Sequence, residues 1–517
     1  MNLPPLIRAL LDPAVYPHPT ADIRYRETHI SWIILTGPYA YKLKKPVDFG
    51  FLDFSTLEKR RFYCHEELRL NRRLAAPLYL AVVTVTGTPD RPRLDGDGKP
   101  LEYAVKMRQF ADRDLLSRMA AEGRLRETHL EALAARIARF HERVGRAGPA
   151  DPYGEPQTIQ EAALQNFQAI DAGALGPAWK PRLEALRRWT EAEFRRLAAR
   201  MARRKREGWV RECHGDLHLG NIVLWQGEPL PFDCIEFNPR LRWIDIVSET
   251  AFTVMDLAAR GQRPLGFHFL NDWLSHTGDY EGVQLLRYYL VYRAMVRAKI
   301  AWLSAGQHPE TGTLDECRRY LDLADDFRRA HRPLLLFTHG FSGSGKSYAS
   351  RRLAARLGAI HLRSDVERKR LAGLTPEARS GAGLESDLYS QDFTRRTYAK
   401  LRHDAETILQ AGWPVIVDAT FLNWDYRRWF QDLGERLGVP WRLLDFRADE
   451  ATLRARIEKR QRQRCDPSEA DLKVLSWQLD HHQPLTAEES ARAIVIDTRG
   501  GFDAEAVLQR LNSRGSS

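Results

Sequence analysis

The chain has 517 residues, of which 43% are hydrophobic and 28% are charged, and its formal net charge is +11 at pH 7. This length exceeds what one hydrophobic core supports and suggests about three compact units. The composition excludes a disordered chain, and apolar runs such as SWIIL and PVIV are too short to span a bilayer.

The cysteines and the start of the chain exclude two further classes of protein. Five scattered cysteines form no CxxC pair, which argues against a disulfide framework and against a zinc cluster. The first residues carry no secretory signal, so we expect a cytoplasmic protein without a membrane partner. The positive charge favours anionic partners such as nucleotides, phosphorylated metabolites or nucleic acid.

The first hundred residues predict strands arranged around one helix. THISWIILTG, YAYKLKKPV, LYLAVVTVTG and LEYAVKMRQF are typical of strands. Between them STLEKRRFYCHEELRLNRRL predicts a helix, opened by a capping box of Ser55 and Glu58. The pattern is then helical from about residue 113 to 210 and from about 246 to 330.

The pattern of predicted secondary structure changes near residues 328–333. The runs LLLFTHG, GAIHLRSD, WPVIVDAT, WRLLDFRAD and ARAIVIDT are short and rich in β-formers, and helical segments separate them. This alternation predicts a parallel sheet with crossover helices. The sequence therefore predicts three domains, over residues 1–110, 111–330 and 331–517.

The stretch ECHGDLHLGNIVLW, residues 212–225, carries the first candidate site. A zinc-binding HExxH helix is disfavoured, because glycines break the helix that His214 and His218 would need. A phosphoryl-transfer loop needs an acid that orients or deprotonates a hydroxyl, and an amide oxygen five residues later that holds magnesium. Asp216 and Asn221 have this spacing.

Other residues complete this constellation. Asp233, in PFDCIEF, is expected to be a second magnesium ligand. An upstream strand lysine and a helix glutamate should close the site. Lys42 fits the first role with Lys44 as its alternative, and Glu67 fits the second with Glu66 as its alternative. These lysines and glutamates also fit an interpretation as surface charges, which stays open.

On these motifs, residues 25–330 resemble the aminoglycoside phosphotransferase and choline kinase-like branch of the protein-kinase fold. The resemblance implies an N-lobe, a helical C-lobe with the catalytic loop, and bound ATP and Mg²⁺. It implies that Asp216 is the catalytic base, that Asn221 and Asp233 hold magnesium, and that Lys42 with Glu67 positions the phosphates. It further implies a hinge at 106–110 that contacts adenine, including Met107, a bracing role for His214 and a structural role for Asp245.

The chain departs from this family in two places. The glycine-rich phosphate loop is reduced to TGPY, residues 36–39, and no APE-ended activation loop follows Asp233. Protein-kinase activity is therefore not expected.

The stretch LLLFTHGFSGSGKSYASRRLAARLG carries the second candidate site. It contains GxxxxGK[ST] between a predicted strand and a predicted helix, the pattern of a P-loop. Its glycines let backbone N–H groups surround phosphate oxygens at a helix N-terminus. We expect nucleotide binding by Gly340, Gly343, Gly345, Lys346, Ser347 and Tyr348, with Ser347 also on magnesium.

The acceptor side of this site is expected on the next strand ends. Asp365 and Arg368 lie one helical turn apart, suited to an acceptor hydroxyl and a neighbouring phosphate or acid. Asp418 ends a strand and is a candidate for second-shell magnesium coordination. Arg460 and Arg464 belong to an arginine-rich segment that either closes over the phosphate or forms a solvated charged face.

Residues 333–500 resemble P-loop kinases of the zeta toxin, gluconate kinase and polynucleotide 5'-kinase group. The resemblance implies that Asp365 is a general base, beside Lys346 and Arg368. The whole chain resembles bacterial fusions of a phosphotransferase with an ATP-binding protein. We thus expect an α/β multidomain fold, a bilobal protein-kinase-like α+β part followed by a P-loop α/β domain.

The expected function is a tandem ATP-dependent phosphotransferase that acts on hydroxyl groups of small molecules. Two alternatives remain at this point. The C-terminal half is a kinase of nucleic-acid 5'-hydroxyl ends, or one half is a nucleotide-binding regulatory module without turnover.

Overall fold

A computed structural model describes residues 3–50, 52–307, 313–329, 333–376, 378, 390–463, 468 and 470–513. The chain divides into two compact units, Met1–Ala162 with Phe194–Asp256 and Ala163–Glu193 with Leu257–Ser517. The three domains expected from the sequence pattern stay a prediction. Within the described ranges no helix is long and apolar enough to cross a membrane.

The first unit is built on an antiparallel sheet. Its strands are β1 (Arg24–Glu27), β2 (Ser31–Leu35), β3 (Tyr39–Lys44), β4 (Tyr79–Thr88), β5 (Arg91–Leu94) and β6 (Glu102–Arg108). They are ordered β1-β2-β3-β6-β4-β5. Lys42 in β3 lies opposite Ile33 in β2 and Val105 in β6, so β3 is a central strand.

Short strands and helices complete the elements up to residue 259. The strands are β7 (Val210–Glu212), β8 (Ile222–Trp225), β9 (Glu228–Pro231) and β10 (Trp243–Asp245). The helices are α1 (Pro5–Ala9), α2 (Leu57–Ala75), α3 (Leu116–Ala121), α4 (Glu127–Arg143), α5 (Pro156–Gln168), α6 (Ala172–Leu175), α7 (Trp179–Arg206), α8 (Pro239–Arg242) and α9 (Ile246–Ala259). Strands β7 and β10 pair, as do β8 and β9, in both cases antiparallel.

Both faces of the six-stranded sheet are covered, which explains the composition of β3. Tyr41 and Leu43 pack with Ile7 of the N-terminal segment. Ala40 packs on the opposite face with Cys64 of α2. Because side chains alternate along a strand, Lys42 and Lys44 lie on the α2 face with Ala40.

Helix α2 confirms the helix predicted between the strands but begins one residue later than the capping box implied. Thr56 is the N-cap, and its hydroxyl accepts a hydrogen bond from the Lys59 N–H at 3.2 Å. Ser55 instead donates its hydroxyl to Asp53. Because the Ser55 hydroxyl is bound to Asp53, the next hydroxyl residue, Thr56, caps the helix.

The second unit contains the predicted parallel sheet. Its strands are β11 (Leu335–His339), β12 (Ile360–Arg363), β13 (Val415–Asp418), β14 (Trp441–Arg447) and β15 (Ala493–Asp497). All neighbours are parallel, in the order β12-β13-β11-β14-β15. The five runs predicted from the sequence are confirmed as these five strands. Their carboxyl ends share one edge, where open α/β sheets bind ligands.

Helices form the rest of the regular structure beyond residue 262, and several of them pack on this sheet. They are α10 (Arg263–Thr277), α11 (Val283–Gln307), α12 (Thr313–Arg328), α13 (Lys346–Leu357), α14 (Ser364–Leu371), α15 (Gln391–Gln410), α16 (Trp424–Leu437), α17 (Glu450–Gln463), α18 (Leu472–His481), α19 (Ala487–Arg492) and α20 (Ala504–Ser513). The core on one face joins Leu336 and Ile416 of the strands to Leu353 of α13 and Val507 of α20.

Helix α10 protects the edge strand β12. The Asn271 amide group donates to the Ala359 carbonyl at 2.9 Å and accepts from the His361 N–H at 2.8 Å. Asn271 is buried. Its side chain therefore takes the place of a neighbouring strand for two backbone groups at the sheet edge.

Replacing Asn271 with alanine should leave both backbone groups without a partner. Each such buried group costs about 1–3 kcal/mol, so we expect a clear loss in the free energy of unfolding. Urea denaturation followed by circular dichroism measures it. Gln262→Ala, which removes an amide without a capping bond at the start of the same helix, is the control and should change little. Equal stability of the two variants would contradict this role.

Candidate active sites

The first site is organised around a buried cluster of lysines and acids. The Lys42 ammonium lies 2.9 Å from Glu67 Oε1 and 2.5 Å from Asp233 Oδ1. The Lys44 ammonium lies 2.8 Å from Glu67 Oε2 and also pairs with Glu236. Glu67 thus bridges two lysines, and Lys42 is the one that contacts Asp233.

Glu66, the alternative to Glu67, lies elsewhere. Its carboxylate pairs with Arg69 at 2.7 Å and with Arg242 at 2.9 Å. Consecutive helix residues point in different directions, so only one of the two glutamates can face β3.

Burial and charge act in opposite directions in this cluster. Burial lowers the pKa of Lys42, but the carboxylates of Asp233 and Glu67 outweigh it and hold that pKa well above its usual range. Burial raises the pKa of Glu67, and the two lysines lower it to about 2. Burial and the nearby Glu67 charge raise the pKa of Glu236. Lys42 and Glu67 are therefore charged at neutral pH.

The loop between β7 and β8 brings Asp216 and Asn221 together. The Asn221 side-chain N–H group donates to the Asp216 carbonyl at 3.1 Å and to Asp216 Oδ2 at 3.0 Å. These two bonds orient the amide so that its oxygen points away from Asp216. Gly215 precedes the acid at φ +90°, and a Cβ there would lie 2.9 Å from the Leu241 carbonyl oxygen. Only glycine fits this turn.

The β8–β9 hairpin brings Asn221 close to Asp233 in the fold. Ile222 lies opposite Pro231, and the Phe232 N–H donates to the Asn221 carbonyl at 2.9 Å. Asp233 follows directly and has a left-handed backbone, with φ 62°. Non-glycine residues adopt this conformation rarely, and functional sites are among the places where it occurs. An amide oxygen and a carboxylate are hard donors that fit Mg²⁺.

Two residues that the sequence motif did not single out support the first site, one at the loop and one at the lysine cluster. Glu249 of α9 accepts from the N–H groups of His214 and Gly215, at 2.6 Å and 2.9 Å. It also lies 2.7 Å from His141 Nε2. Glu236, which pairs with Lys44, is the second. Helical periodicity marks Glu249 as an ordinary helix residue, and only its contacts reveal its role.

His214 and Asp245 occupy supporting positions. The His214 Nε2 donates to the Phe232 carbonyl at 2.9 Å, which links the loop that carries Asp216 to the residue before Asp233. Burial lowers the pKa of His214, so the ring is neutral at neutral pH. Asp245 accepts from Arg204 at 2.7 Å and from the Val247 N–H at 2.9 Å, at the start of α9.

The segments of the first unit that were expected to contact nucleotide, the hinge with Met107 and the TGPY turn, lie in or beside the sheet, and their role stays a prediction. Met107 is 7% exposed, and its side chain packs in the core between the sheet and α2. The Gly37 N–H, in the TGPY turn, donates to the Gln109 side chain at 3.0 Å. This turn joins β2 to β3, and it therefore lies at the start of β3 beside residue 109. Residues 28–30 turn the chain at the opposite end, where Ser31 faces Lys44.

The second site is the loop after β11. Gly340, Gly343 and Gly345 have φ values of 141°, 85° and 84°. A Cβ on Gly340 would lie 2.6 Å from the Phe446 carbonyl oxygen, and one on Gly343 would lie 2.8 Å from that of Leu453. Left-handed backbone and close packing both require glycine here. Helix α13 follows directly, so its N-terminus points toward the loop.

Lys346 is buried and folded back onto this loop. Its ammonium donates to the Gly340 carbonyl at 2.9 Å and to the Phe341 carbonyl at 2.7 Å. Burial lowers the pKa of Lys346 to about 8, against the raising effect of the Asp418 and Asp365 carboxylates. Arg460 adds to the lowering. The fold thus brings Asp365, Asp418 and Arg460 into electrostatic range of the lysine.

Ser347 and Asp418 form the candidate magnesium ligands of this site. Burial raises the pKa of Asp418, but His361, Arg363 and a hydrogen bond from Ser347 together hold it below its usual value. His361 Nε2 lies 3.3 Å from Asp418 Oδ2. A hydroxyl and a carboxylate in contact are a donor set that fits Mg²⁺. His361, which the sequence analysis missed, orients the carboxylate from the neighbouring strand.

The remaining predicted residues surround the loop. The Arg368 guanidinium donates to Thr394 Oγ1 on α15 at 3.2 Å. Tyr348 is 57% exposed, and the Arg352 guanidinium lies 3.7 Å from its ring centre. Arg460 donates to the Ala470 carbonyl at 2.6 Å, and Arg464 lies outside the described residues.

One further arginine contacts the loop directly. Arg456 on α17 donates to the Gly343 carbonyl at 3.4 Å and to Thr498 Oγ1 at 2.9 Å. The sequence pattern instead favoured Arg460 and Arg464 of the same segment. In an arginine-rich helix, composition alone does not tell which side chain faces the loop.

Fold and sites together define a chain with a protein-kinase-like α+β part and a P-loop α/β domain. The family described as AAA domain matches residues 335–485. An uncharacterized protein of Mycobacterium tuberculosis (strain ATCC 25618 / H37Rv), Rv2004c, is 32% identical over 407 residues, covering 78% of this chain and 80% of that protein. The chain belongs to the family of this mycobacterial protein.

Solved structures that resemble the chain include two kinases and an aminoglycoside phosphotransferase. A choline/ethanolamine kinase family protein from Mesorhizobium loti is 12% identical, with 68% of this chain and 97% of that chain covered and a TM-score of 0.40. Aminoglycoside 2'-phosphotransferase-IIIa is 13% identical, with 62% and 98% covered and a TM-score of 0.38. A gluconokinase from Sinorhizobium meliloti 1021 is 18% identical, with 35% and 89% covered and a TM-score of 0.25.

The resemblance and the fold class predicted from the sequence are confirmed. The AAA-domain match and the loop geometry support nucleotide binding and phosphoryl transfer from a nucleoside triphosphate in general.

Glu249 should make the first unit sensitive to acid. Burial raises its pKa, but the bond with His141 and the loop N–H groups lower it to about 2. Its contribution to stability is therefore present above pH 4.5 and is lost as the pH falls toward about 2. Over this range the loss should reach about 3 kcal/mol.

Acid unfolding curves between pH 2 and pH 7 measure this effect. The Glu249→Gln variant should be less stable than wild type at pH 7 and nearly equal to it at pH 2. Glu228→Gln, at a carboxylate that is 62% exposed, should match wild type throughout. A pH-independent difference between wild type and Glu249→Gln contradicts the assignment.

Lys346 should make ATP binding to the second unit depend on pH. Since its pKa is about 8, the ammonium is lost as the pH rises through that value. A neutral amine attracts phosphate weakly, so we expect the affinity to fall roughly tenfold for each pH unit above 8. Below pH 7 the titration of Lys346 should no longer change the affinity for ATP.

Isothermal titration calorimetry with ATP at pH 7 to pH 9.5 tests this dependence. Buffers of different ionisation enthalpy should reveal proton uptake on binding. Lys346→Arg stays charged throughout and should lose the pH dependence. If the arginine variant retains the same fall in affinity, another group is responsible.

Proposed function

We propose that the protein is a tandem ATP-dependent phosphotransferase, in which each half transfers the γ-phosphate of ATP to a hydroxyl group of a small molecule. One observation carries the proposal. Each unit holds its own buried lysine beside carboxylates suited to magnesium, Lys42 with Asp233 in the first and Lys346 with Asp418 in the second. Two such clusters in one chain support two separate nucleotide sites.

In the first half, Asp216 takes the proton of the acceptor hydroxyl. The hydroxyl oxygen then forms a bond with the γ-phosphorus while the bond to the ADP oxygen breaks. Lys42, held by Glu67, neutralises phosphate charge, and Asn221 with Asp233 would hold Mg²⁺. The ion supplies positive charge beside the phosphates when bound. Phosphoryl transfer requires little covalent chemistry from the protein, so positioning and charge carry most of the rate.

In the second half, Asp365 is the proposed general base and Arg368 the cation beside the acceptor. Lys346 leaves the loop carbonyls and contacts the β- and γ-phosphates of ATP. Ser347 and Asp418 would hold Mg²⁺ there. Arg460 is proposed to contact the transferred phosphate. The order of proton transfer and bond formation is the same as in the first half.

Two alternatives have particular support. The Asp365 and Arg368 pair also suits a nucleic-acid 5'-hydroxyl acceptor in the second half. The reduced TGPY turn, residues 36–39, suits a first half that binds nucleotide without turnover. Substrate tests on each half separate these alternatives from the main proposal.

Disabling each site should remove one activity only. Asp216→Asn should lower transfer by the first half by at least about a thousandfold, since the base is lost while its shape is kept. Lys346→Ala should do the same to the second half. Radiolabelled ATP incubated with a metabolite extract measures both sets of products in each variant. Loss of all products in either single variant contradicts two independent sites.

Calorimetry provides the second test. Wild type should bind two ATP per chain, and Lys346→Ala should bind one. Two bound nucleotides with transfer from only the second half would favour the regulatory alternative for the first half. A single nucleotide per wild-type chain contradicts the tandem proposal.

A further inference from the structure

Helices α15 and α16 line an open surface pocket that the proposed reaction does not use. Its volume is about 330 Å³, and it is lined by Arg395, Ala399, Arg402, His403, Glu406 and Trp429. A volume of this size accommodates a small ligand or part of one.

The charges of this pocket are not balanced within it. Glu406 is its acid, and both carboxylate oxygens of Glu406 accept from Arg436, at 2.9 Å and 2.8 Å. Across the described part of the chain, Arg395 and Arg402 form no hydrogen bond or ion pair. The pocket therefore presents two guanidinium groups outside any ion pair in the described residues, and a histidine, against one carboxylate that Arg436 already binds, a combination that favours an anion.

Helix α15, which lines the pocket, also carries the hydrogen-bond partner of Arg368. Arg368 donates to Thr394 Oγ1 at 3.2 Å, and Arg395 is the next residue on α15. Burial raises the pKa of Tyr426, and the charges of Arg395 and Arg368 both oppose that rise. Both arginine charges therefore act on the Tyr426 hydroxyl.

The link continues to the P-loop itself. Tyr426 stacks on Tyr398 with ring centres 4.1 Å apart. The Tyr398 hydroxyl accepts from the Phe421 N–H at 3.2 Å. The preceding residue, Thr420, accepts from the Gly340 N–H at 3.2 Å. A continuous set of contacts thus joins the first glycine of the P-loop to the wall of the pocket.

Distance and shape restrict what the pocket holds. Seven residues of helix separate Arg395 from Arg402, a rise of about 10 Å. Trp429 supplies a flat apolar wall, and its ring lies 5.3 Å from that of Tyr426. These features match one anionic group attached to a short body, rather than a polymer that needs a long series of cations and stacked bases.

We propose that this pocket binds a phosphate or carboxylate group of the small molecule that the second half phosphorylates. The proposal rests on the proposed function of that half and narrows its substrate class to hydroxyl compounds that already carry an anion. Arg368 holds the acceptor near the reacting hydroxyl, and Arg395 with Arg402 holds its distal charge. Phosphate is the better match, because guanidinium groups bind its oxygens in pairs.

A binding experiment tests the pocket without requiring turnover. Phenyl phosphate is the probe, titrated by calorimetry into the full chain saturated with a non-hydrolysable ATP analogue and Mg²⁺, so that both proposed nucleotide sites are filled. We expect Arg395→Ala and Arg402→Ala each to weaken binding at least tenfold. Arg396→Ala, on the same helix but outside the pocket lining, should stay within twofold of wild type.

Two outcomes of this titration overturn the proposal. One is equal affinity in wild type and the Arg395→Ala variant, and the other is an equal loss in Arg396→Ala. Circular dichroism of all variants checks that they fold, so that a loss of binding is assigned to the charge removed.

An activity experiment separates this proposal from the proposed function. Hydroxyl compounds are tested as acceptors with and without a phosphate group, in wild type, Arg395→Ala and Lys346→Ala. We expect kcat/KM for the phosphorylated acceptors to fall at least tenfold in Arg395→Ala, mainly through KM, while neutral acceptors are unaffected. Lys346→Ala should abolish transfer to both kinds.

The outcomes are distinguishable. If transfer depends on Lys346 but is equal for charged and neutral acceptors, the proposed role of the pocket is wrong and the proposed kinase function still stands. Arginine-dependent binding of phenyl phosphate without transfer to any acceptor overturns the proposed function and leaves an anion site. Arginine-dependent transfer to a 5'-hydroxyl oligonucleotide, with none to small acceptors, overturns the small-molecule class.

Discussion

A lysine ammonium removed from water is the constraint on which both sites depend. Burying such a charge is costly unless carboxylates or carbonyl oxygens surround it. Lys42 meets this requirement with Glu67 and Asp233, and Lys346 meets it with the carbonyls of its own loop. Each lysine therefore organises its neighbours, because moving one partner would leave a buried charge uncompensated.

With these different partners, the two lysines have pKa values shifted in opposite directions. Carboxylates raise the pKa of Lys42, whereas neutral carbonyls do not prevent burial from lowering that of Lys346 to about 8. The first lysine is thus a permanent cation within a rigid ion cluster. The second has a pKa close to physiological pH, and under the proposed function phosphate oxygens replace its carbonyl partners. The same residue type serves as a fixed element in one unit and as an adaptable one in the other.

Backbone geometry supports these charges in both units. Glu249 ties down the loop that carries Asp216, and the left-handed Asp233 follows a hairpin whose register is set by Asn221. In the second unit, glycines with left-handed backbone allow Phe446 and Leu453 to approach the loop closely. Side chains of neighbouring elements, such as His361 beside Asp418, then set the direction of each functional group.

The sequence alone determined the elements whose signals are local. Strand alternation, the spacing of Asp216 and Asn221, and the P-loop glycines are encoded within short stretches, and they predicted the parallel sheet and both loops. Tertiary structure decided everything that depends on which residues meet. It placed Glu67 between two lysines, the TGPY turn against Gln109, and the Met107 side chain in the core. It also brought to the sites three residues that no local pattern singles out, which are Glu249, Glu236 and Arg456. These partners are far apart in the chain, and a helix or strand pattern reports which face a side chain occupies but not what lies opposite it.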